Sequence, residues 1–166
     1  MLFCIVKVFK GRSVCIAKDG SPVWLARSGH GNTWAMTSRI SHTTVDCADP
    51  YSLSRWWAQV LDYHEDPDDP NALEDEECLI EGDGPPLLFI RVPESKSVKN
   101  RMHLDLRPTD RTRDEEIERV QGLCASFIAD HRGIHGPGTG WVVLADPEGN
   151  EFCILRSDAE VAATRP

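Results

Sequence analysis

The chain has 166 residues, of which 40% are hydrophobic and 27% charged, a composition typical of a soluble globular protein. Its net charge of -9 argues against a nucleic-acid partner, because phosphate binding needs a basic surface that releases counterions. The sequence contains no apolar run long enough to cross a bilayer, so we expect neither a membrane partner nor a membrane anchor.

The first 35 residues differ in charge from the rest of the chain. They carry five basic residues and one acidic residue, although the whole chain is acidic. The segment also lacks the long apolar stretch and the cleavage site of a signal peptide. We therefore predict that residues 1–35 are an N-terminal extension outside the domain core and that Met36 is the functional start. The alternative is an edge hairpin of the domain with its turn at Asp19 and Gly20.

A βαβββ order of elements begins near residue 38. The alternating, β-branched stretch RISHTTVDC predicts a strand. Asp49 then suits a helix N-cap and Pro50 the first helical position. The predicted helix has an apolar face made of Leu53, Trp56, Trp57, Val60 and Leu61. A short strand and an acidic loop are expected over residues 64–77, and the runs CLIE and PLLFIRV predict two further strands.

The second half repeats this order. RMHLDLRP predicts a strand, and Thr112 with Glu115 forms a capping box at the start of a helix. Three strand-like runs follow, ASFIADHR, GWVVLA and NEFCILR. His42 recurs 61 positions later as His103, and each histidine comes seven residues before an aspartate. The two histidines are therefore equivalent positions of a repeated module.

The repeat predicts an α+β fold over residues 36–157. Module one covers about 38–95 and module two about 99–157, and residues 158–166 form a C-terminal tail. We expect the paired βαβββ modules to form a curled mixed sheet around a central cavity, with alternate residues facing inward. His42 and His103 would then face each other across that cavity.

The doubled module resembles the vicinal oxygen chelate superfamily, which includes glyoxalase I, extradiol dioxygenases, and fosfomycin and bleomycin resistance proteins. The resemblance lies in SHTTVDCADPYSLSRWWAQVLDY, NRMHLDLRPTD and WVVLADPEGNEFCILR, and it covers about residues 38–157. It is strongest for the glyoxalase-like branch. The resemblance implies the paired-module fold and a small-molecule site between the modules. It does not by itself define the activity, because the superfamily hosts several chemistries.

The resemblance also implies a metal site with ligands on the first and last strand of each module. His42 and His103 match the first-strand ligands. The usual last-strand glutamate is replaced by Cys153, and Glu151, two residues earlier on the same face, could supply the carboxylate instead. We therefore predict metal ligands His42, His103 and Glu151 for Fe, Mn, Zn or Ni, with Cys153 as the alternative third ligand. The competing interpretation is a metal-free pocket whose wall contains hydrogen-bonded polar residues.

Other candidates would serve catalysis or substrate binding. Asp105 shares a strand face with His103, so it could orient that ring or act as a general base, and Glu151 is the second catalytic candidate. Lys99 and Arg101 could hold an anionic substrate, although a solvated hairpin is the alternative interpretation of these charges. The further predicted pocket residues are Trp141 and Cys153.

Motifs for nucleotide hydrolysis, Rossmann redox chemistry, serine esterases and zincins are absent, so we expect no nucleotide cofactor. Two functions remain. The protein is either a metal-dependent lyase, isomerase or dioxygenase acting on a small oxygenated metabolite, or a metal-free binder of a drug or antibiotic. The six cysteines show no CxxC pair and predict reduced thiols in a cytoplasmic protein. We also expect a homodimer joined through sheet edges or helix faces.

Overall fold

The computed structural model describes residues 5–9, 12–16, 22–23 and 38–164. The chain divides into two compact units, Met1–Ser38 and Arg39–Pro166. The first unit contains an antiparallel sheet in the order β1-β2-β3, with β1 at Ile5–Phe9, β2 at Arg12–Ile16 and β3 at Pro22–Val23. Asp19, Gly20 and Met36 lie outside the described residues. The assignment of residues 1–35 to an extension outside the core therefore stays a prediction.

The second unit begins with the first predicted module. Its elements are β4 Thr43–Cys47, α1 Pro50–Leu61, β5 Glu77–Ile80 and β6 Leu87–Arg91. The sheet order is β4-β6-β5, with β4 and β6 parallel and β5 and β6 antiparallel. The short strand predicted after Tyr63 is reduced to one isolated bridge between His64 and Glu81.

The second module repeats the order with one more strand in its sheet. Its elements are β7 Asp105–Leu106, α2 Arg113–Gly122, β8 Ser126–Asp130, β9 Val142–Ala145 and β10 Glu151–Ile154. The sheet order is β7-β10-β9-β8, and β7 and β10 are parallel. The tail contains a short helix that the sequence analysis did not predict, α3 at Asp158–Ala162, begun by a capping box between Ser157 and Glu160.

The α+β class and the two βαβββ-like modules are confirmed. In the described residues each module has its own mixed sheet, and no backbone pairing joins the two sheets. A continuous curled sheet around a cavity therefore stays a prediction. No helix in the described part of the chain is long and apolar enough to cross a membrane.

Helix α1 starts where the sequence predicts. The Asp49 side chain accepts a hydrogen bond from the backbone N–H of Ser52, and Pro50 is the first helical residue. The helix ends at Leu61, and its C-cap residue Asp62 adopts the left-handed conformation with φ of 56°. The capping box of Thr112 and Glu115 at the start of α2 is likewise formed.

An aromatic cluster joins the two modules. Trp56 and Trp57 of α1 meet Phe152 of β10 edge-on, with ring centroids 5.9 and 5.2 Å away. Both indole N–H groups donate into module two, Trp56 to the carbonyl of Leu123 and Trp57 to Oδ2 of Asp146. Because all three rings are buried and both indoles are satisfied, this cluster fixes how the modules pack.

Candidate functional site

Strands β7 and β10 bring three potential metal-binding side chains together. Asp105 pairs in parallel register with Cys153, which puts the two residues side by side. His103 lies two residues before Asp105 and shares its face, as the two-residue period of extended chain requires. Nδ1 of His103 lies 3.1 Å from Oδ1 of Asp105 and 3.6 Å from Sγ of Cys153. The donor atoms of this group all lie within 4.8 Å of one another.

The three side chains differ in solvent exposure and charge. His103 and Asp105 are partly open to solvent, with side-chain exposures of 37% and 53%. Cys153 is buried, and this burial raises the pKa of its thiol to about 12. The hydrogen bond to Asp105 and its negative charge also raise the pKa of Cys153, whereas the positive charge of Lys99 lowers it. Without a metal, the thiol is protonated at neutral pH and is not an activated nucleophile.

A cleft of about 720 Å³ borders this group, and His103 forms part of its wall. The wall combines β4 of module one with residues 92 and 94–104, the connection between the modules, and with residues around the start of β10. A volume of this size suits a small-molecule ligand. Asp105 and Cys153 are not part of the wall, so His103 is the member of the group that reaches the cleft.

Glu151 also lines the cleft, but its carboxylate already has partners. Oε2 lies 2.9 Å from Nζ of Lys96 and accepts a hydrogen bond from the backbone N–H of Asn100. Partial burial disfavours the charged form, but the bonds from Lys96 and Asn100 outweigh it and lower the pKa of Glu151 to about 2. Glu151 therefore fastens the connection between the modules to the start of β10.

Glu151→Gln should lower the free energy of unfolding of the metal-free protein by about 1–2 kcal/mol at neutral pH, through loss of the ion pair with Lys96. The folded-state pKa lies below the ordinary value of 4.5, so this stabilisation is complete above that pH and is lost as the pH falls towards 2. The difference between the two proteins should therefore shrink below about pH 4.5. Urea unfolding at several pH values measures it.

Lys99→Met is the matched control for Glu151→Gln. Lys99 lines the same cleft and forms no ion pair within residues 38–164, so its substitution should cost less than about 0.5 kcal/mol. A stability loss in Glu151→Gln that stays constant from pH 7 to pH 3 would contradict the assigned role of the ion pair.

The remaining predicted site residues lie in different surroundings. His42 is exposed, immediately precedes β4, and is not among the cleft-lining residues. Within the part of the chain that the structure describes, the group of donor atoms that could bind one ion together with His103 contains neither His42 nor Glu151. Lys99 and Arg101 do line the cleft. Trp141 lies outside the lining and packs against His131, with ring centroids 5.3 Å apart.

The turn before β10 contains two cleft residues that the sequence analysis did not single out. Asp146 is buried and accepts hydrogen bonds from the Trp57 indole and from both nitrogens of Asn150. Glu148 accepts hydrogen bonds from the backbone N–H groups of Ala48 and Asp49, which lie between β4 and α1. The sequence DPEG indicated only a turn, and gave no sign of the donors that come from the other module, Trp57, Ala48 and Asp49.

Comparisons with known structures agree with this architecture. The fosfomycin resistance protein FosX from Mesorhizobium loti has a TM-score of 0.56 at 17% identity, over 78% of this chain and 100% of that chain. A FosX variant from Listeria monocytogenes, complexed with Mn(II) and 1S,2S-dihydroxypropylphosphonic acid, has a TM-score of 0.59 at 17% identity, over 78% and 98%. At these identities the likeness shows the fold alone.

A third solved structure shares the same fold. A glyoxalase/bleomycin resistance protein/dioxygenase family enzyme from Burkholderia phytofirmans PsJN has a TM-score of 0.53 at 17% identity, over 70% of this chain and 97% of that chain. A search of curated proteins found no match. The family profile described as a glyoxalase-like domain matches residues 42–155, more than half of the chain. The chain therefore belongs to the glyoxalase-like domain family.

Proposed function

We propose that the protein binds a small oxygenated molecule in the cleft of about 720 Å³, next to a divalent metal ion held by His103. The observation that carries this proposal is the convergence of His103, Asp105 and Cys153 within 4.8 Å at the edge of the cleft. An imidazole, a carboxylate and a thiol are all common ligands of divalent metals. One member of the group lines the cleft, so a substrate there could reach an open coordination position.

The donor set fits some ions better than others. Imidazole and carboxylate suit Fe(II), Mn(II), Ni(II) and Zn(II), whereas a thiolate from Cys153 favours Zn(II). A metal ion bound there would act as a Lewis acid towards neighbouring oxygens of the ligand. The ligand set predicted from the sequence, His42, His103 and Glu151, stays a prediction. It would require His42 to move towards His103 and Glu151 to break its ion pair with Lys96.

The protein's own side chains would position both the metal ligand and the substrate. For His103, Asp105 and Cys153 to hold one ion together, His103 would use Nδ1, the ring nitrogen that lies 3.1 Å from Oδ1 of Asp105 and 3.6 Å from Sγ of Cys153, and the ring proton would be on Nε2. Lys99 and Arg101 line the cleft and form no ion pair with a described acidic residue, so they are available for an anionic group of the ligand. A metal-dependent lyase, isomerase or dioxygenase is the resulting class of activity.

The alternative function is a metal-free binder of a small molecule such as a drug or antibiotic. The engagement of Glu151 by Lys96 and Asn100 favours this alternative, because it removes one carboxylate from the set of free ligands. The mutual contacts of His103, Asp105 and Cys153 would then be hydrogen bonds that stabilise the wall of the cleft.

Metal analysis combined with a ligand screen tests the proposal. We expect purified protein to contain close to one transition metal ion per chain, and chelation to lower the melting temperature. Small diols, α-keto aldehydes and aromatic drugs would then be screened by thermal shift with and without the metal. A compound that raises the melting temperature only in the metal-loaded protein supports the proposal. Absence of metal, together with an equal shift in both samples, would establish the metal-free binder instead.

A further inference from the structure

Four charged side chains in the wall of the cleft already have partners within the protein. The carboxylates of Asp146, Glu148 and Glu151 accept hydrogen bonds from described residues, and Nζ of Lys96 lies 2.9 Å from Glu151. Asp146 and Glu148 bind groups of module one, and Glu151 binds the connection between the modules. These four side chains hold the walls of the cleft in place, so they are not available to a ligand.

Four other charged side chains of the wall form no ion pair with a described residue. Two are negative, Asp46 and Glu94, and two are positive, Lys99 and Arg101. All four residues are exposed, so a ligand in the cleft can reach their charges. After the internal ion pairs are set aside, the wall therefore presents two charges of each sign.

These free charges are separated by sign between the two modules. The negative pair lies in module one, on β4 and shortly after β6, whereas the positive pair lies at the start of module two. Burial raises the pKa of the Cys153 thiol, and the positive charge of Lys99 opposes that rise, which means that Lys99 is close to Cys153. The positive end of the cleft is therefore beside the His103–Asp105–Cys153 group.

Asp46 stays free although the neighbouring strand β6 carries an arginine, Arg91. The Arg91 side chain donates to the carbonyls of Ala48 and Asp75, and its Nε lies 3.6 Å from Oε1 of Glu76. Because these partners engage the guanidinium, it does not neutralise Asp46. The carboxylate of Asp46 is therefore available to a cationic group in the cleft.

A simple anion would fit only one end of this wall. It would pair with Lys99 and Arg101, but Asp46 and Glu94 would repel it, and the net charge of -9 adds a general repulsion. A simple cation would be repelled at the positive end. A molecule that carries both an ammonium and a carboxylate satisfies both ends, and it has no net charge to oppose its entry.

We propose that the ligand of this cleft is a small zwitterion, such as an amino acid, whose carboxylate binds Lys99 and Arg101 and whose ammonium binds Asp46 and Glu94. The inference rests on the proposed function, because it concerns the same cleft, and it adds the chemical class of the ligand. The separation of the charges also fixes the orientation. The carboxylate end lies on the side of the His103–Asp105–Cys153 group, and the ammonium end lies against module one.

A matched series of small molecules tests the need for both charges. γ-Aminobutyrate, butyrate and butylamine share one carbon chain and differ in their charged ends, and ε-aminocaproate, caproate and hexylamine repeat the comparison at greater length. Calorimetric titration of the full-length protein, chelated and then loaded with Zn(II), measures each affinity. In both samples the tighter-binding zwitterion should have a dissociation constant about tenfold or more below those of its matched anion and amine, because it alone makes both charge-assisted contacts.

Two variants test the two ends of the cleft separately. Asp46→Asn should weaken binding of the zwitterion by about tenfold without weakening that of the anion, and Lys99→Met should weaken the zwitterion by a similar factor without weakening the amine. Asp69→Asn is the matched control, because it makes the same charge change at an exposed residue of the acidic loop, outside the cleft. It should leave all three affinities unchanged, and circular dichroism would establish that every variant is folded.

Three results would overturn the zwitterion: no binding of either zwitterion, binding of the matched anion at least as tight, or an Asp46→Asn variant that binds like the wild type. If an uncharged diol or keto aldehyde then raised the melting temperature only in the metal-loaded protein, the proposed function would stand without this ligand class. Absence of both metal and ligand binding would remove the proposed function as well.

Discussion

Replacing His103 by alanine should abolish stoichiometric metal binding while the protein stays folded. His103 is the member of the His103–Asp105–Cys153 group that lines the cleft, so its imidazole contributes both to holding the ion and to the open side of the site. Loss of an ancillary residue around a metal typically weakens affinity 10–100-fold, and loss of a ligand should cost at least about a hundredfold. Elemental analysis after dialysis, and titration of the apoprotein with Zn(II) and Mn(II), measure the change.

Four further variants define which residues share the ion. Cys153→Ser and Asp105→Asn should each weaken metal affinity, because both side chains lie within reach of the same ion. Glu151→Gln should have a smaller effect, since that carboxylate is bound to Lys96. This order reverses the expectation from the sequence, which preferred Glu151 to Cys153 as the third ligand. His42→Ala separates the two ligand sets, because only the set predicted from the sequence includes His42.

His64→Ala is the control, since it removes an exposed imidazole that is not a member of the group. The metal should raise the melting temperature of this variant and of the wild type, but not that of His103→Ala. If the group only stabilises the fold, His103→Ala should instead lose about 1–3 kcal/mol of stability with no change in metal content. Unchanged, near-zero metal in all of these proteins would refute the metal site.

Phe152→Ala should produce the largest loss of stability, about 3–5 kcal/mol. The Phe152 ring is 1% exposed and contacts the indoles of Trp56 and Trp57, which come from the other module. Its removal leaves a cavity at the junction of the modules and also removes two edge-to-face contacts. Urea unfolding measures the free energy of unfolding. The urea concentration at the midpoint should fall, while the slope of the free energy with urea concentration stays similar.

Phe152→Leu and Leu73→Ala calibrate this result. Leucine retains part of the buried volume, so Phe152→Leu should cost clearly less than Phe152→Ala. Leu73 is 61% exposed, and its truncation should change stability by less than about 0.5 kcal/mol. A loss below about 1 kcal/mol in Phe152→Ala would mean that the aromatic cluster does not hold the two modules together.

Local sequence patterns were sufficient for most of the elements. The start of α1 follows from Asp49 and Pro50, and the start of α2 from the capping box of Thr112 and Glu115, because these signals act within one helical turn. The repeat of βαβββ order follows from the spacing of strand-like and helical runs. The short strand expected after Tyr63 reduced to one bridge, in a stretch whose acidic loop offers little apolar surface to bury.

Partners that come from distant parts of the chain were not predictable in the same way. Trp56 and Trp57 were expected to pack, but the bond from Trp57 to Asp146 spans 89 positions and the bond from Ala48 to Glu148 spans 100. The turn sequence DPEG gave no indication of these bonds. Trp141 was expected at the pocket because it opens a strand. In the structure it packs against His131, because these two residues are the two ends of the loop between β8 and β9.

By itself the sequence determined the α+β modules, their repetition, the family resemblance and the common face of His103 and Asp105, since each depends on periodicity or spacing along the chain. Only the tertiary structure decided that Cys153, 50 positions after His103, completes that group, and that Glu151 pairs with Lys96. The physical reason is the register of β7 with β10: a shift of one residue would turn Cys153 to the opposite face, and packing of the whole module sets that register.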